Sequence, residues 1–407
     1  MAENDGEMTS EEMGCKQPHD THIFFDRSKF DDENYPTSTS IAQDIVETSI
    51  KDLLFKYTED MRTLKKSLHV DYLMGVLKNV SCTFEQMDSS RSWIIYWVLH
   101  SLALLKSDIT LSMKYAVINF FRSCQRKDGG FGGGPMQEPH LATTYAAVMA
   151  LCTLGIQEAY EVINRKGLLN FLQKMKVHDG SFYIQEDGEI DVRGIYCAVS
   201  IYNLLKLKDY QLFENSIPWI TRCQTYEGGF AGNPGMEAHG GYTFCSVASL
   251  YLLGGLNKCD VKSLKRWLLN RQTSFEGGFQ GRTNKLVDSC YSFWQYACLV
   301  ILKQSILDGN NSEQQNYPYN KLIDNKALQN YILICCQNVN GGFIDKPTKR
   351  PDAYHTCYSL SGLSLAQTDA ESDTQEKPMD DKLPEIHPVY NILMERFVQA
   401  DSYFSEL

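Results

Sequence analysis

Residues 275–301, FEGGFQGRTNKLVDSCYSFWQYACLVI, run from a Gly-Gly-Phe turn through a polar connector to Asp288 and on into an apolar segment. Glycine supplies the positive φ that such a turn needs. The apolar segment has helical spacing and no strand alternation. The same phrase returns as CQRKDGGFGGG (124–134), QKMKVHDGSF (173–182), CQTYEGGF (223–230) and CQNVNGGF (336–343). Its first glycines, Gly129, Gly180, Gly228, Gly277 and Gly341, are 51, 48, 49 and 64 residues apart. A polar residue follows each glycine by eleven positions and opens an apolar segment: His140, Asp191, His239, Asp288 and Asp352. Two series that stay in one register constitute an internal repeat.

Each unit, roughly 50 residues long, reads as a helix, a Gly-rich turn and a second, more apolar helix. A sixth unit starts near Trp93, because Trp97 lies 48 residues before Tyr145. The expected fold is all-α. Six hairpins can stay open as a superhelix or close into an α/α toroid, and closure puts the in-phase polar residues on one rim of a central cavity. Three polar stretches fall outside the pattern: a flexible tail over 1–40 and exposed loops at 308–320 and 367–386, all attached to a single toroid domain over 41–407. The 308–320 insertion accounts for the long final step.

Composition narrows the function. Lys and Arg number 39 against 50 Asp and Glu, a net charge of −11, which argues against general nucleic-acid or anionic-membrane binding. The 13 cysteines are scattered through apolar stretches, as expected for reduced, buried thiols in a cytoplasmic protein. The opening MAENDGEMTSEEMGCKQPHD has no apolar core of a signal peptide, no run is long enough for a membrane span, and FSEL at the end carries no prenylation cysteine. The expectation is a protein that is neither secreted nor inserted in a membrane.

Asp288, Cys290 and His355 are the first candidate site, since carboxylate, thiolate and imidazole all ligate zinc and three ligands leave a fourth position open. Asp288 and Cys290 are two apart and share no helix face, so they converge only if they straddle the turn before the helix. His355 follows Cys290 by 65 residues, close to the local repeat step, which stacks the two at one level. Capping and core packing are the competing structural roles for the three. Arg193, His239, Arg282, Lys285 and Tyr291 share the rim, and such cations with a phenol and an imidazole suit a diphosphate. Solvated surface charge is the alternative. Trp93, Trp97, Tyr145, Tyr196, Tyr242 and Trp294 form an aromatic series that either packs the core or, pointing inward, lines an apolar channel fit for a long hydrocarbon.

The strings DGGFGGG…PHLATTYAA, EIDVRGIYC, PGMEAHGGYTFC, FEGGFQGRTNKLVDSCYSFW, DAYHTCYSLSGLS and HPVYNI resemble the β subunits of protein farnesyltransferases, over roughly residues 65–400. The resemblance implies an α/α barrel clasped by a helical α subunit. It implies transfer of farnesyl from farnesyl diphosphate to the cysteine of a C-terminal CaaX motif in proteins such as small GTPases. By position, Asp288, Cys290 and His355 would hold zinc, with the substrate cysteine as fourth ligand and Asp352 orienting the set. His239, Arg282, Lys285 and Tyr291 would hold the diphosphate, helped by a lysine of the α subunit. Arg193, Tyr196, Gly241, Tyr242, Cys245 and Trp294 would line the diphosphate and isoprenoid site. Trp93, Trp97, His140 and Tyr354 would meet the peptide, and Asp345 would bind magnesium on the diphosphate. Bulky Trp93, Tyr358 and Asp345 match the farnesyl pattern better than that of geranylgeranyltransferase type I, the nearest rival. The terpene cyclases share Gly-rich barrels but need an acidic DxDD or DCTAE motif, which is absent. A helical-repeat binding module without chemistry would leave the zinc trio unexplained.

Overall fold

A computed structural model describes residues 35–78, 85–308, 323–370 and 382–407. Six helices stand side by side as an inner ring: Arg91–Leu104, Leu141–Leu154, Val192–Leu204, Gly240–Leu252, Tyr291–Asp308 and Ala353–Ala370. Each packs on the next, and Ala353–Ala370 packs back on Arg91–Leu104, so the toroid is closed. The outer helices are Lys66–Lys78, Leu111–Cys124, Arg165–Met175, Ser216–Arg222, Val261–Leu269 and Asn325–Asn330, the last continued by a π turn at Tyr331–Cys335. Leu141–Leu154 explains the inner positions. Thirteen of its residues are buried, so a helix apolar all round has found neighbours on every side.

The repeat glycines join the units. Gly129 has φ +98°, and a Cβ there would lie 1.9 Å from the backbone carbon of Gly167 in the next outer helix. Gly341 has φ +92°, and its Cβ would lie 2.1 Å from the carbonyl oxygen of Leu68 in the first outer helix, which closes the ring. Each turn therefore needs glycine twice, for its dihedral and for the close approach. The glutamine of the repeat clamps the same junction. Gln224 Nε2 donates to Gly228 O at 3.0 Å while its Oε1 accepts from Asp260 N at 2.8 Å. The repeat phenylalanines, Phe131, Phe182, Phe230, Phe279 and Phe343, are fully buried beneath the turns.

Several boundaries differ from expectation. Of the tail expected over 1–40, residues 38–40 instead open the helix Ser38–Phe55, where Thr37 and Ser40 form a capping box. Residues 1–34 lie outside the described part. Of the loop expected at 308–320, only Asp308 is described, as the last residue of an inner helix. Of the loop expected at 367–386, residues 367–370 finish the sixth inner helix. Gln367 is buried because its Oε1 accepts from Leu383 N at 2.9 Å, and Leu383 and Ile386 are buried as well. Residues 371–381 lie outside the described part.

Among the described residues the only sheet is a hairpin pairing Ile386–His387 with Ile392–Leu393. The helix Met394–Ser405 follows it. No described helix is long and apolar enough to cross a membrane. The described cysteines are all free thiols, buried except for Cys259.

Candidate active site

The in-phase polar residues are the caps of the inner helices. His140 Nδ1 accepts from Ala142 N, Asp191 from Arg193 N, His239 Nδ1 from Gly241 N, Asp288 from Cys290 N and Asp352 from His355 N, all within 3.1 Å. Capping and site chemistry are therefore both roles of the same residues. Because every inner helix starts at the same end, the caps form one rim.

At that rim Asp288 and Cys290 straddle the turn before Tyr291–Asp308, and His355 stands in the first turn of Ala353–Ala370. Their ligand atoms all lie within 4.8 Å of one another, the single group among the described residues with a metal-ligating donor set. Asp352 Oδ2 holds His355 Nδ1 at 2.6 Å, which leaves Nε2 facing Asp288 Oδ1 at 3.4 Å. A carboxylate behind an imidazole in this way fixes the ring for a metal. Burial would lower the pKa of His355, but its hydrogen bonds to Asp288 and Asp352 outweigh it and raise it to about 10. Asp288 is pushed below the usual carboxylate range, the pairing with His355 overcoming burial. Burial and the Asp288 charge hold the Cys290 thiol well up. A cation in the middle would relieve this crowding, so the donor set fits a metal ion.

Tyr291 and His239 sit beside it. Tyr291 Oη lies 2.9 Å from His239 Nε2, and since Nδ1 accepts from Gly241 N the proton of a neutral ring is on Nε2. Burial and then the Arg282 charge lower the pKa of His239. Gly281 makes room for this pair, because a Cβ there would fall 2.2 Å from Tyr291 Cζ. Arg282 is half-exposed and paired with Glu237 at 2.8 Å, and Lys285 is exposed on the same loop. Arg193 is bound to Asp191 at 2.6 Å and Glu189 at 2.9 Å and lies over the Tyr242 ring. His140 belongs with this Arg193 group, whose charge adds to burial in lowering its pKa. Asp345 is ion-paired with the buried Lys346, and burial followed by the Asp288 charge raises its pKa.

Below the rim the aromatic side chains meet around the whole ring. Centroid distances are 5.8 Å for Trp93–Tyr145, 5.2 Å for Tyr145–Tyr196, Tyr196–Phe244 and Phe244–Trp294, 4.3 Å for Trp294–Tyr358 and 5.4 Å for Tyr354–Trp97. All six inner helices contribute. Trp93, Trp97, Trp294 and Tyr354 stay half-buried within this belt, whereas Tyr196 and Cys245 are buried in its wall. Tyr242, expected in the same series, instead packs at the rim against His239 and Arg193. Trp294 Nε1 donates to Tyr354 Oη at 3.0 Å, and the Tyr354 hydroxyl also bonds the Cys290 thiol, linking belt to rim.

Sequence reasoning missed Phe244, Lys346, Glu189 and Glu237. A signal was present for the last two: Glu138, Glu189 and Glu237 each precede a cap by two residues, marking one arc of the rim as acidic. It also missed the C-terminal hairpin tip, whose backbone meets the belt.

The prenyltransferase alpha-alpha toroid domain family matches residues 64–392. The protein farnesyltransferase subunit beta of Pisum sativum is 40% identical, covering 78% of this chain and 90% of that protein. Its counterpart in Schizosaccharomyces pombe is 38% identical, covering 90% and 97%. The solved Candida albicans protein geranylgeranyltransferase-I, complexed with GGPP, superimposes with a TM-score of 0.67 at 29% identity over 83% of this chain and 98% of that one. With its closed ring of capped repeats and these relatives, the chain belongs to the prenyltransferase α/α toroid family, and within it to the β subunits of protein farnesyltransferase.

Proposed function

We propose that this chain, paired with an α subunit, transfers farnesyl from farnesyl diphosphate to the cysteine of a C-terminal CaaX motif, as in small GTPases. The observation that carries the reading is the convergence of Asp288, Cys290 and His355 directly above a closed aromatic belt. A thiol held at the rim would meet C1 of an isoprenoid lying in the belt. The new S–C1 bond forms as the C1–O bond breaks, and the diphosphate leaves with the electron pair. Asp288, Cys290 and His355 would hold zinc, which when bound supplies the Lewis acidity that keeps the substrate thiol deprotonated near neutral pH.

The remaining groups receive charge. The His239 Nε2–H and the Tyr291 hydroxyl donate to the leaving diphosphate, and Arg282 and Lys285 reach it from the loop, Arg282 exchanging Glu237 for phosphate oxygens. Gly241 donates its backbone N–H to His239 Nδ1 and so keeps the Nε2–H side of the ring facing the diphosphate. Asp345 would take magnesium in place of Lys346. Trp93, Trp97 and Tyr354 give the aliphatic CaaX residues an aromatic wall, while Tyr242, Cys245, Trp294 and Tyr196 enclose the isoprenoid. A cytoplasmic location agrees with reduced thiols and with a substrate cysteine that must be unoxidised.

The test is competition between farnesyl and geranylgeranyl diphosphate for one CaaX peptide, with and without magnesium, using the chain co-produced with its α subunit. Farnesyl preference that needs magnesium is expected. Geranylgeranyl preference without magnesium dependence would move the chain to geranylgeranyltransferase type I chemistry.

A further inference from the structure

The tip of the C-terminal hairpin enters the barrel from the end opposite the rim. Three consecutive carbonyls of the tip accept from tyrosines on three successive inner helices. Tyr196 Oη donates to Val389 O at 2.8 Å, Tyr145 Oη to Tyr390 O at 2.9 Å and Tyr96 Oη to Asn391 O at 2.7 Å. Tyr145 and Tyr196 belong to the aromatic belt, and their hydroxyls are 2.8 Å apart. The belt thus rests directly on the hairpin.

Asn391 sets the shape of the tip. It is 1% exposed, has φ +51°, donates its N–H to His387 O at 2.9 Å and presents Oδ1 to His100 Nε2 at 3.2 Å. His100 is fully buried and also meets Ser361 Oγ at 3.1 Å. Asn391 is therefore fixed from two inner helices, by Tyr96 and His100 on one and through His100 by Ser361 on another.

We propose that the hairpin tip Val389–Asn391 is the floor that limits the length of the bound isoprenoid, with Asn391 as its positioning residue. This rests on the farnesyl-transfer reading. A chain longer by one isoprene unit has to displace Tyr145 or Tyr196, and each displaced hydroxyl leaves a buried carbonyl without its donor. The discrimination therefore depends on the tip holding still, and not only on the bulk of the aromatic rings.

The experiment uses the heterodimer carrying Asn391→Gly, which keeps the left-handed backbone but removes the His100 contact, and separately Tyr96→Phe, which removes one hydroxyl without opening a cavity. Dissociation constants are measured for geranyl, farnesyl and geranylgeranyl diphosphate. The expected result is a geranylgeranyl-to-farnesyl affinity ratio raised about tenfold in Asn391→Gly and about threefold in Tyr96→Phe, with geranyl binding unchanged. Equal weakening of all three ligands would reduce the hairpin to a stability element and overturn the proposal. So would a ratio unchanged in both variants. If the unaltered heterodimer binds none of the three, the farnesyl reading itself falls and the floor with it.

Discussion

His355 Nδ1 lies 2.6 Å from Asp352 Oδ2, and this one contact turns the opposite ring nitrogen towards Asp288 and Cys290. Asp352 also caps the helix through Oδ1, so one side chain starts the helix and aims its histidine. Asp352→Asn keeps a capping oxygen but loses the charge behind the ring. Zinc affinity, measured by competition with a chromophoric chelator, is expected to fall about 10- to 100-fold with little change in melting temperature. Unchanged affinity would contradict the orienting role.

Trp93 is packed 5.6 Å from Trp97 and 5.8 Å from Tyr145. Trp93→Thr opens space in the belt, and the specificity ratio is expected to move towards geranylgeranyl diphosphate by about tenfold or more. Ratios of kcat/KM for the two diphosphates with one peptide check this, and an unmoved ratio would contradict a length-limiting Trp93.

Gly281 has no room for a side chain, since its Cβ would meet the Tyr291 ring at 2.2 Å. Gly281→Ala is expected to push Tyr291 off His239 and to slow farnesyl transfer by about a hundredfold while leaving zinc content intact. Single-turnover rates and metal analysis separate the two; full activity would mean that the Tyr291–His239 pair is dispensable.

Acid is expected to loosen the hairpin end. Burial lowers His100 to about 3 and His387 to about 4, with smaller opposing contributions from Asn391 and Asp401. Both rings fold neutral, and below about pH 6.5 the unfolded chain binds more protons than the native one. The contribution of these two histidines is thus complete above pH 6.5 and declines as pH falls towards 4, by about 1.4 kcal/mol per pH unit for each. Denaturant unfolding at pH 7 and pH 5 reads this directly, and equal midpoints would contradict it.

The ring, its rim and the convergence of Asp288, Cys290 and His355 were legible because a repeat writes itself into side chains. Glycine is needed where Gly129 meets Gly167, and a cap is needed where Asp288 begins a helix, so both recur in register. The seating of the hairpin tip was not legible, because the three tyrosines reach Val389, Tyr390 and Asn391 through main-chain carbonyls, which any residue carries, and only Asn391 adds a side-chain contact, to His100. The ion pairs Arg282–Glu237 and Lys346–Asp345 join side chains whose charges alone do not name a partner. The start at Ser38 was hidden for a different reason. Its Ser/Thr-rich stretch reads as a polar tail until the Thr37–Ser40 capping box is seen.

The most direct measurement is zinc content of the purified heterodimer, unaltered and with Cys290→Ala. The expected result is about one zinc per chain in the former and its loss, together with most farnesyl transfer, in the latter. Stoichiometric zinc retained by Cys290→Ala, or its absence from an active unaltered heterodimer, would contradict the assignment of Asp288, Cys290 and His355 as the metal centre.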